Sequence, residues 1–229
     1  MELLLIVGLP FLGALLPLLF ERHGRLGCSL AAAVAPLLGL GLLLWQAPRV
    51  FAGELLVVSQ PWLSELGFNL SLRLDGLAFL FALLILGIGS LVILSARYYL
   101  STREPMGRFF AYLLLFMGAM LGMVLSGNLL LLMIFWEMTS ISSFLLIGFW
   151  SHRQDAREGA RMALIITGGG GLALLGGVLL IGRIVGSYDL DVVLASGDLI
   201  RASHLYPWAL ALVLLGIFTK SAQFPFHFW

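Results

Sequence analysis

Residues 109–152 read FFAYLLLFMGAMLGMVLSGNLLLLMIFWEMTSISSFLLIGFWSH, and this stretch decides the fold. It runs 44 residues with a single charge, Glu137. A bilayer span needs about 20 consecutive apolar residues, so the stretch is too long for one span and long enough for two. Gly127-Asn128, near its middle, supplies a turn. The expectation is two membrane helices joined by a tight hairpin. Glu137 follows that turn by about nine residues. At ~1.5 Å per residue this puts its carboxylate roughly 14 Å deep, near the bilayer midplane.

The rest of the chain has the same character. Of 229 residues, 61% are apolar and 11% charged, with a mean hydropathy of +1.05. A soluble domain carries about 25% charge, so this composition excludes one, as it excludes a disordered chain, a basic nucleic-acid-binding protein and a disulfide-stapled secreted domain. No Asp, Glu, Lys or Arg occurs in 3–20, 26–48, 76–96, 162–182 or 202–219. The chain therefore reads as an all-α integral membrane protein with about seven transmembrane helices, near 2–20, 27–47, 76–97, 108–126, 129–150, 161–184 and 206–229. The first apolar stretch has no positive region before it, since Glu2 is the only charge ahead of Glu21, so it reads as a retained span. The single cysteine, Cys28, has no internal partner and reads as a small buried apolar residue.

Arginine placement sets an expected orientation. The loops after the first, third and fifth spans hold Arg22, Arg25, Arg97, Arg103, Arg108, Arg153, Arg157 and Arg161. Those after the second and sixth hold Arg49, Arg73, Arg183 and Arg201. By the positive-inside rule the N-terminus is extracytoplasmic. The outer connection 48–75 alternates apolar and polar residues around Val57-Val58 and along 68–74, which suggests short strands or a hairpin. The segment 187–203, with Asp189, Asp191 and Asp198, reads as a loop with a short amphipathic helix. Gly118, Gly122 and the run Gly168 to Gly171 read as close-packing positions between helices. A G-x-G-x-x-A pattern forced onto Gly168, Gly170 and Ala173 has no preceding strand and carries no dinucleotide meaning.

Two charges remain inside the apolar spans, Glu137 and Lys220. An ionised group at mid-bilayer costs at least ~2.5–3.5 kcal/mol, so such residues persist when they pair, line water or carry ions. Lys220 is the only lysine in the chain; the other 12 basic residues are arginines. Lysine gives up its proton when desolvated and arginine does not, which suits Lys220 to switching. Pro225 cannot donate to the Ser221 carbonyl, so the seventh helix is expected to break there and to leave carbonyls free as a seat for the Lys220 ammonium and a hydrated cation path. The bland reading is a structural kink with a buried Glu–Lys pair. Thr139, Ser140, Ser142 and Ser143 follow Glu137, and Ser140, one turn on, shares its face. His227, beyond the break, is a candidate proton relay, or simply a structural polar residue. His23, His152 and His204 flank spans, and no histidine has metal-ligand spacing with another ligand, so no metal is expected.

The segments 112–128, 135–150 (FWEMTSISSFLLIGFW) and 218–229 (FTKSAQFPFHFW), with Leu74-Asp-Gly-Leu and Tyr98-Tyr99-Leu100, resemble the antiporter-like membrane subunits. That family is shared by respiratory complex I and the Mrp-type multisubunit Na+/H+ antiporters, and the likeness is to the large A-type subunits. It extends over the chain from about residue 70 onward. The resemblance implies that Glu137 and Lys220 form the family's ion-translocation charge pair, with Lys220 on a broken seventh helix and His227 matching a histidine of that helix. It implies a monovalent cation (Na+)/proton antiporter subunit in a cell membrane, a transporter and not an enzyme. The implied partners are other membrane subunits, the lipid bilayer, Na+ and H+, with no cofactor and no nucleic acid. It also implies two regions: 1–75, two helices with an extracytoplasmic loop, and 76–229, the start of an antiporter-like domain cut short inside its seventh helix. Two alternatives are a proton-pumping subunit of a complex I-like or hydrogenase-type redox complex, and a truncated scaffold that transports nothing.

Overall fold

The computed structural model describes residues 1–63, 67–101 and 104–229. Arg103, counted above in the loop after the third span, lies outside the described residues. The elements in chain order are α1 (Glu2–Gly13), α2 (Leu15–Phe20), a 3-10 turn (Glu21–His23), α3 (Gly24–Phe51), β1 (Leu56–Leu63), β2 (Phe68–Leu74), α4 (Gly76–Tyr99), α5 (Met106–Leu125), α6 (Leu129–Ile147), α7 (Gln154–Val185), α8 (Leu190–Ala195), α9 (Gly197–Ala202), α10 (Tyr206–Lys220) and a second 3-10 turn (Phe226–Phe228). Among the described residues, five helical stretches are long and apolar enough to cross a membrane: Glu2–Phe51, Gly76–Tyr99, Met106–Leu125, Leu129–Ile147 and Gln154–Val185. The first is 50 residues long and contains α1, α2 and α3; the shorter α10 is also apolar. This is a multi-pass helical membrane protein. Its helices outrun the charge-free runs: α3 includes Arg25 and Arg49, and α7 begins well before Arg161. Charges mark where hydrocarbon ends, whereas the backbone hydrogen-bond ladder continues into the interface.

The chain divides into two compact units, Met1–Val58 with Leu72–Leu125, and Ser59–Ser71 with Ser126–Trp229. In the first unit, α1, α3, α4 and α5 bury Ile6, Ala32, Leu43, Ala82, Leu86, Phe110, Leu114 and Leu121 completely. Small residues let these helices close up: a Cβ on Gly13 would overlap that of Ala35. Charged side chains are spent on helix ends. Asp75 accepts from the Ala78 amide at 2.8 Å and caps α4. Arg25 donates to the Arg97 and Leu100 carbonyls at the other end of α4. The Glu21 carboxylate accepts from the Gly107 amide in the first turn of α5.

The second unit holds α6, α7 and α10, the two short helices α8 and α9, and residues 59–71 of the β1–β2 hairpin. The segment 187–203, expected as a loop with one short helix, holds two, α8 and α9. The turn after α5 is anchored here. The Gly127 amide donates to Ser71 O at 2.8 Å, and the Leu129 amide to Tyr188 O at 2.8 Å. Asn128 is 1% exposed and uses both ends of its amide. Its oxygen accepts from the Leu130 and Leu131 amides and caps α6, while its nitrogen donates to Gly67 O (3.1 Å) and Asp189 Oδ1 (2.9 Å). Asn128 therefore ties the hairpin, the start of α6 and the loop after α7 to one point. Replacing it with alanine removes the cap and leaves the Gly67 carbonyl and Asp189 without this donor. The expected loss is about 2–3 kcal/mol, read as a lower melting temperature of the detergent-solubilised complex. An unchanged melting temperature would show that this point is held by other contacts.

Candidate functional site

One turn of α6 presents Trp136, Glu137, Thr139 and Ser140, and Lys220 is the last residue of α10. In the hydrocarbon the hydroxyls cannot turn to water, so each bonds its own helix. Thr139 Oγ1 donates to Trp136 O at 2.7 Å, and Ser140 Oγ leans on the same carbonyl at 3.4 Å. Their lone pairs then face α10. The Lys220 ammonium donates to Thr139 Oγ1 at 2.7 Å and to Ser140 Oγ at 2.8 Å, and sits 5.4 Å from the centre of the Trp136 ring. Thr139 is 0% and Ser140 2% exposed, so both hydroxyls are buried, while Lys220 and Trp136 are half-buried.

Glu137 points elsewhere. Its carboxylate lies against α7, where a Cβ on Gly171 would overlap Glu137 Oε1. That oxygen is buried and, among the described residues, has no hydrogen-bond partner. Glu137 is the one ionisable residue among those lining a cavity of about 540 Å³ between α6 and α7, whose other walls include Met133, Ile134, Met138, Gly171 and Leu172. Lys220 makes no ion pair with Glu137 here; its ammonium is held by hydroxyls instead. Sequence reasoning chose Ser140 as sharing the face of Glu137; in the structure Ser140 meets Lys220 and not the carboxylate. Thr139 is the residue it passed over. Nothing in spacing alone separates two adjacent hydroxyls on a helix, since the choice depends on which way α10 crosses.

The crossing is set by glycine. A Cβ on Gly170 would overlap Thr219 Oγ1, one on Gly216 would meet Leu174 Cβ at 2.6 Å, and one on Gly177 would meet Val213 at 2.7 Å. Bare backbone at these points brings α7 and α10 together, so Gly170, Gly177 and Gly216 are packing residues; of the expected run, Gly171 faces Glu137 instead, and a Cβ on Gly168 or Gly169 would meet nothing within 4 Å.

The break after Lys220 takes a different form from the one expected. The helix ends at Lys220, five residues before Pro225, and Ala222 adopts a left-handed φ of 53°. Three carbonyls ahead of Lys220 find donors; the Ser221 carbonyl, which Pro225 cannot serve, is not one of them. Ile217 O accepts from the Ser221 amide (2.9 Å), Phe218 O from Gln223 N (3.0 Å) and Thr219 O from Trp229 Nε1 (2.9 Å). The returning chain caps its own helix, and the ammonium takes the α6 hydroxyls instead. His227 lies exposed on the turn beyond, its ring stacked on Phe224 at 5.6 Å and edge-on to Phe228. It makes no hydrogen bond to Lys220 or Glu137, so the structure does not gather it into the cluster.

Residues 126–229, which contain the whole cluster, match the family described as NADH:quinone oxidoreductase/Mrp antiporter, TM. Residues 62–110 match the complex I chain 5 N-terminus family. A probable K+/H+ antiporter subunit of the A/B type from Rhizobium meliloti is 56% identical over 220 residues, covering 96% of this chain and 22% of that protein. An A-type subunit of a Na+/H+ antiporter from Alkalihalophilus pseudofirmus is 45% identical, covering 96% of this chain and 28% of that one. Among solved structures, the Mrp complex from a Dietzia species superposes with a TM-score of 0.86 at 31% identity, over 99% of this chain and 24% of the matched chain. An archaeal membrane-bound sulfane sulfur reductase shares the fold at 23% identity, with a TM-score of 0.81. The chain spans about a quarter of the length of the curated relatives.

Proposed function

Because this chain belongs to the antiporter-like membrane subunits of Mrp antiporters and complex I, we propose that it is part of a monovalent cation/proton antiporter complex of the cell membrane. The relatives are named for K+/H+ and for Na+/H+ exchange, so the cation class is monovalent. The observation that carries the reading is the separation of two intramembrane charges on neighbouring helices. Lys220 is held by hydroxyls, and Glu137 keeps a buried oxygen unpartnered at the edge of an apolar cavity. An unpaired carboxylate in hydrocarbon is costly, so it takes up a proton or a cation or draws the ammonium to it.

In the mechanism proposed, Glu137 and Lys220 work as an opening and closing pair. When Glu137 carries a proton or a cation, its attraction for Lys220 falls and the ammonium withdraws toward Thr139 and Ser140. When Glu137 is bare, the ammonium returns and neutralises it. In each cycle the ammonium moves between two stations on one turn of α6 and returns, so it gates the proton or cation at Glu137 and is not itself carried. His227, beyond the end of α10, passes protons on. With the N-terminus extracytoplasmic, the arginine-rich loops face the cytoplasm. The partners are further membrane subunits, the lipid bilayer, Na+ or K+, and H+.

The test is cation-driven proton movement in sealed membrane vesicles carrying the full complex. Glu137→Gln keeps the size of the side chain and removes its charge and its proton exchange. Exchange is expected to fall by about 30-fold or more, in line with the roughly 2–4 kcal/mol of a unit-charge interaction at short range. Undiminished exchange with Glu137→Gln would sink the mechanism. A requirement for an electron donor would instead favour a redox-driven pump, a reading kept open by the family's span of both complexes. Loss of exchange on deleting the chain, with no effect from changing Glu137 or Lys220, would support a scaffold.

A further inference from the structure

We infer that Thr139, with Ser140 and the face of Trp136, forms a charge-neutral resting seat for the Lys220 ammonium, and that Thr139 sets how often Lys220 leaves Glu137. The inference rests on the charge-pair reading above and names the second position that such a switch requires.

An ammonium has three donors and no acceptor. Two of the three are used at full strength, at 2.7 Å to Thr139 and 2.8 Å to Ser140. The aromatic face of Trp136 lies 5.4 Å away, within the ~6 Å over which a ring attracts a cation. Among the described residues, no carboxylate takes part. The seat is also directional. Thr139 Oγ1 gives its own proton to Trp136 O at 2.7 Å, so what remains toward Lys220 is lone pair. Ser140 is oriented toward the same carbonyl. A hydroxyl that had to turn to accept the ammonium would slow the step; these are already turned.

The surroundings argue that the seat serves Lys220 alone. Thr139 is completely buried, and α7 has no ionisable residue between Arg161 and Arg183. The nearby ionisable groups on the packed elements are Glu137 on α6 and His227 on the final turn, and neither bonds Lys220. Two stations for one cation therefore lie on the same turn of α6: a carboxylate directed toward α7 and a hydroxyl pair directed toward α10. Holding the charge without neutralising it keeps the return to Glu137 favourable. A direct ion pair alone would trap Lys220, because in low dielectric such a pair is slow to open.

The experiment is made specific by reading the one cross-linked peptide pair that joins Glu137 to Lys220. Native membranes carrying the assembled complex are treated with dicyclohexylcarbodiimide, which enters the bilayer and activates buried carboxyls. An amine touching an activated carboxyl displaces the urea and forms an isopeptide bond, so the Glu137–Lys220 product, joined with loss of water, reports direct contact. It is quantified by mass spectrometry. In wild type the yield is expected to be low. Thr139→Val keeps the shape and removes the oxygen, and the yield should rise on the order of tenfold, the worth of one hydrogen bond to a charged group. Thr139→Ser keeps the oxygen and should stay close to wild type. An unchanged yield in Thr139→Val, or the same rise in Thr139→Ser, overturns the inference. Failure of the transport reading has a separate signature: Lys220→Ala vesicles would exchange cations for protons undiminished, whatever the cross-link yields.

Discussion

Lys220→Ala is expected to reduce cation/proton exchange by about 30- to 1000-fold in vesicles carrying the full complex. For unit charges ~4–8 Å apart at an effective dielectric near 20, the interaction is worth about 2–4 kcal/mol, which converts to that range. Without the ammonium, nothing offsets a bare Glu137 carboxylate whose Oε1 already lacks a hydrogen bond. The carboxyl then stays neutral or keeps a cation, and the cycle stops. Lys220→Arg separates charge from proton transfer. A guanidinium keeps its charge at every accessible pH, so if Lys220 must release its proton the arginine variant stays roughly tenfold or more below wild type. Recovery with arginine would show that the field alone is enough. The readout is the initial rate of proton movement after a cation pulse, at equal amounts of assembled complex. Alanine rates equal to wild type would remove Lys220 from the mechanism.

The second large effect is expected at Gly171. An added Cβ there occupies the place of Glu137 Oε1, the far end of a flexible side chain. Helix α7 cannot simply move aside, since its neighbouring Gly170 is already against Thr219. The carboxylate is what gives way. Gly171→Ala should therefore leave assembly near normal, helped by the ~1 kcal/mol that alanine gains over glycine within a helix. Exchange should fall by up to about 100-fold, the scale of loss when a reacting group is misplaced by roughly 1 Å. Gly170→Ala makes the contrast. Its Cβ meets Thr219, which is short, β-branched and 4% exposed, so the strain falls on packing. Its expected signature is a loss of about 1–3 kcal/mol in stability, seen as reduced complex on native gels. If Gly171→Ala exchanges normally, the resting place of Glu137 against α7 has no part in transport.

Some of this was legible in the chain itself. A carboxylate alone in 44 residues of hydrocarbon-like sequence stands out, as does a sole lysine ahead of a proline. Gly127-Asn128 announced a turn, and the structure uses Asn128 as the cap that starts α6. The alternation at 68–74 became β2. These signals are local: they depend on the transfer cost of a side chain or on the conformational preference of a few residues. Other expectations failed where they needed to know what lay across a helix gap. Carbonyls freed by Pro225 were expected to seat the Lys220 ammonium, but the ammonium bonds Thr139 and Ser140 on α6, while Gln223 N and Trp229 Nε1 return to the Phe218 and Thr219 carbonyls ahead of it. Pro225 indicates only that a helix cannot continue, not how the chain beyond it folds back.

The sequence by itself thus determined that this is a helical membrane protein, roughly where its helices run, and that Glu137 and Lys220 are the charges to explain. The reason is that burying charge in lipid is costly whatever the tertiary arrangement. Only the tertiary structure decided that Lys220 rests on Thr139 and Ser140, that Glu137 turns to Gly171, and that His227 stays apart. Those outcomes depend on how closely α7 and α10 approach at Gly170, Gly177 and Gly216, and on which lone pairs of α6 face the end of α10. Contacts of that kind depend on distances of an ångström or so between residues up to 81 positions apart, and no local pattern encodes them.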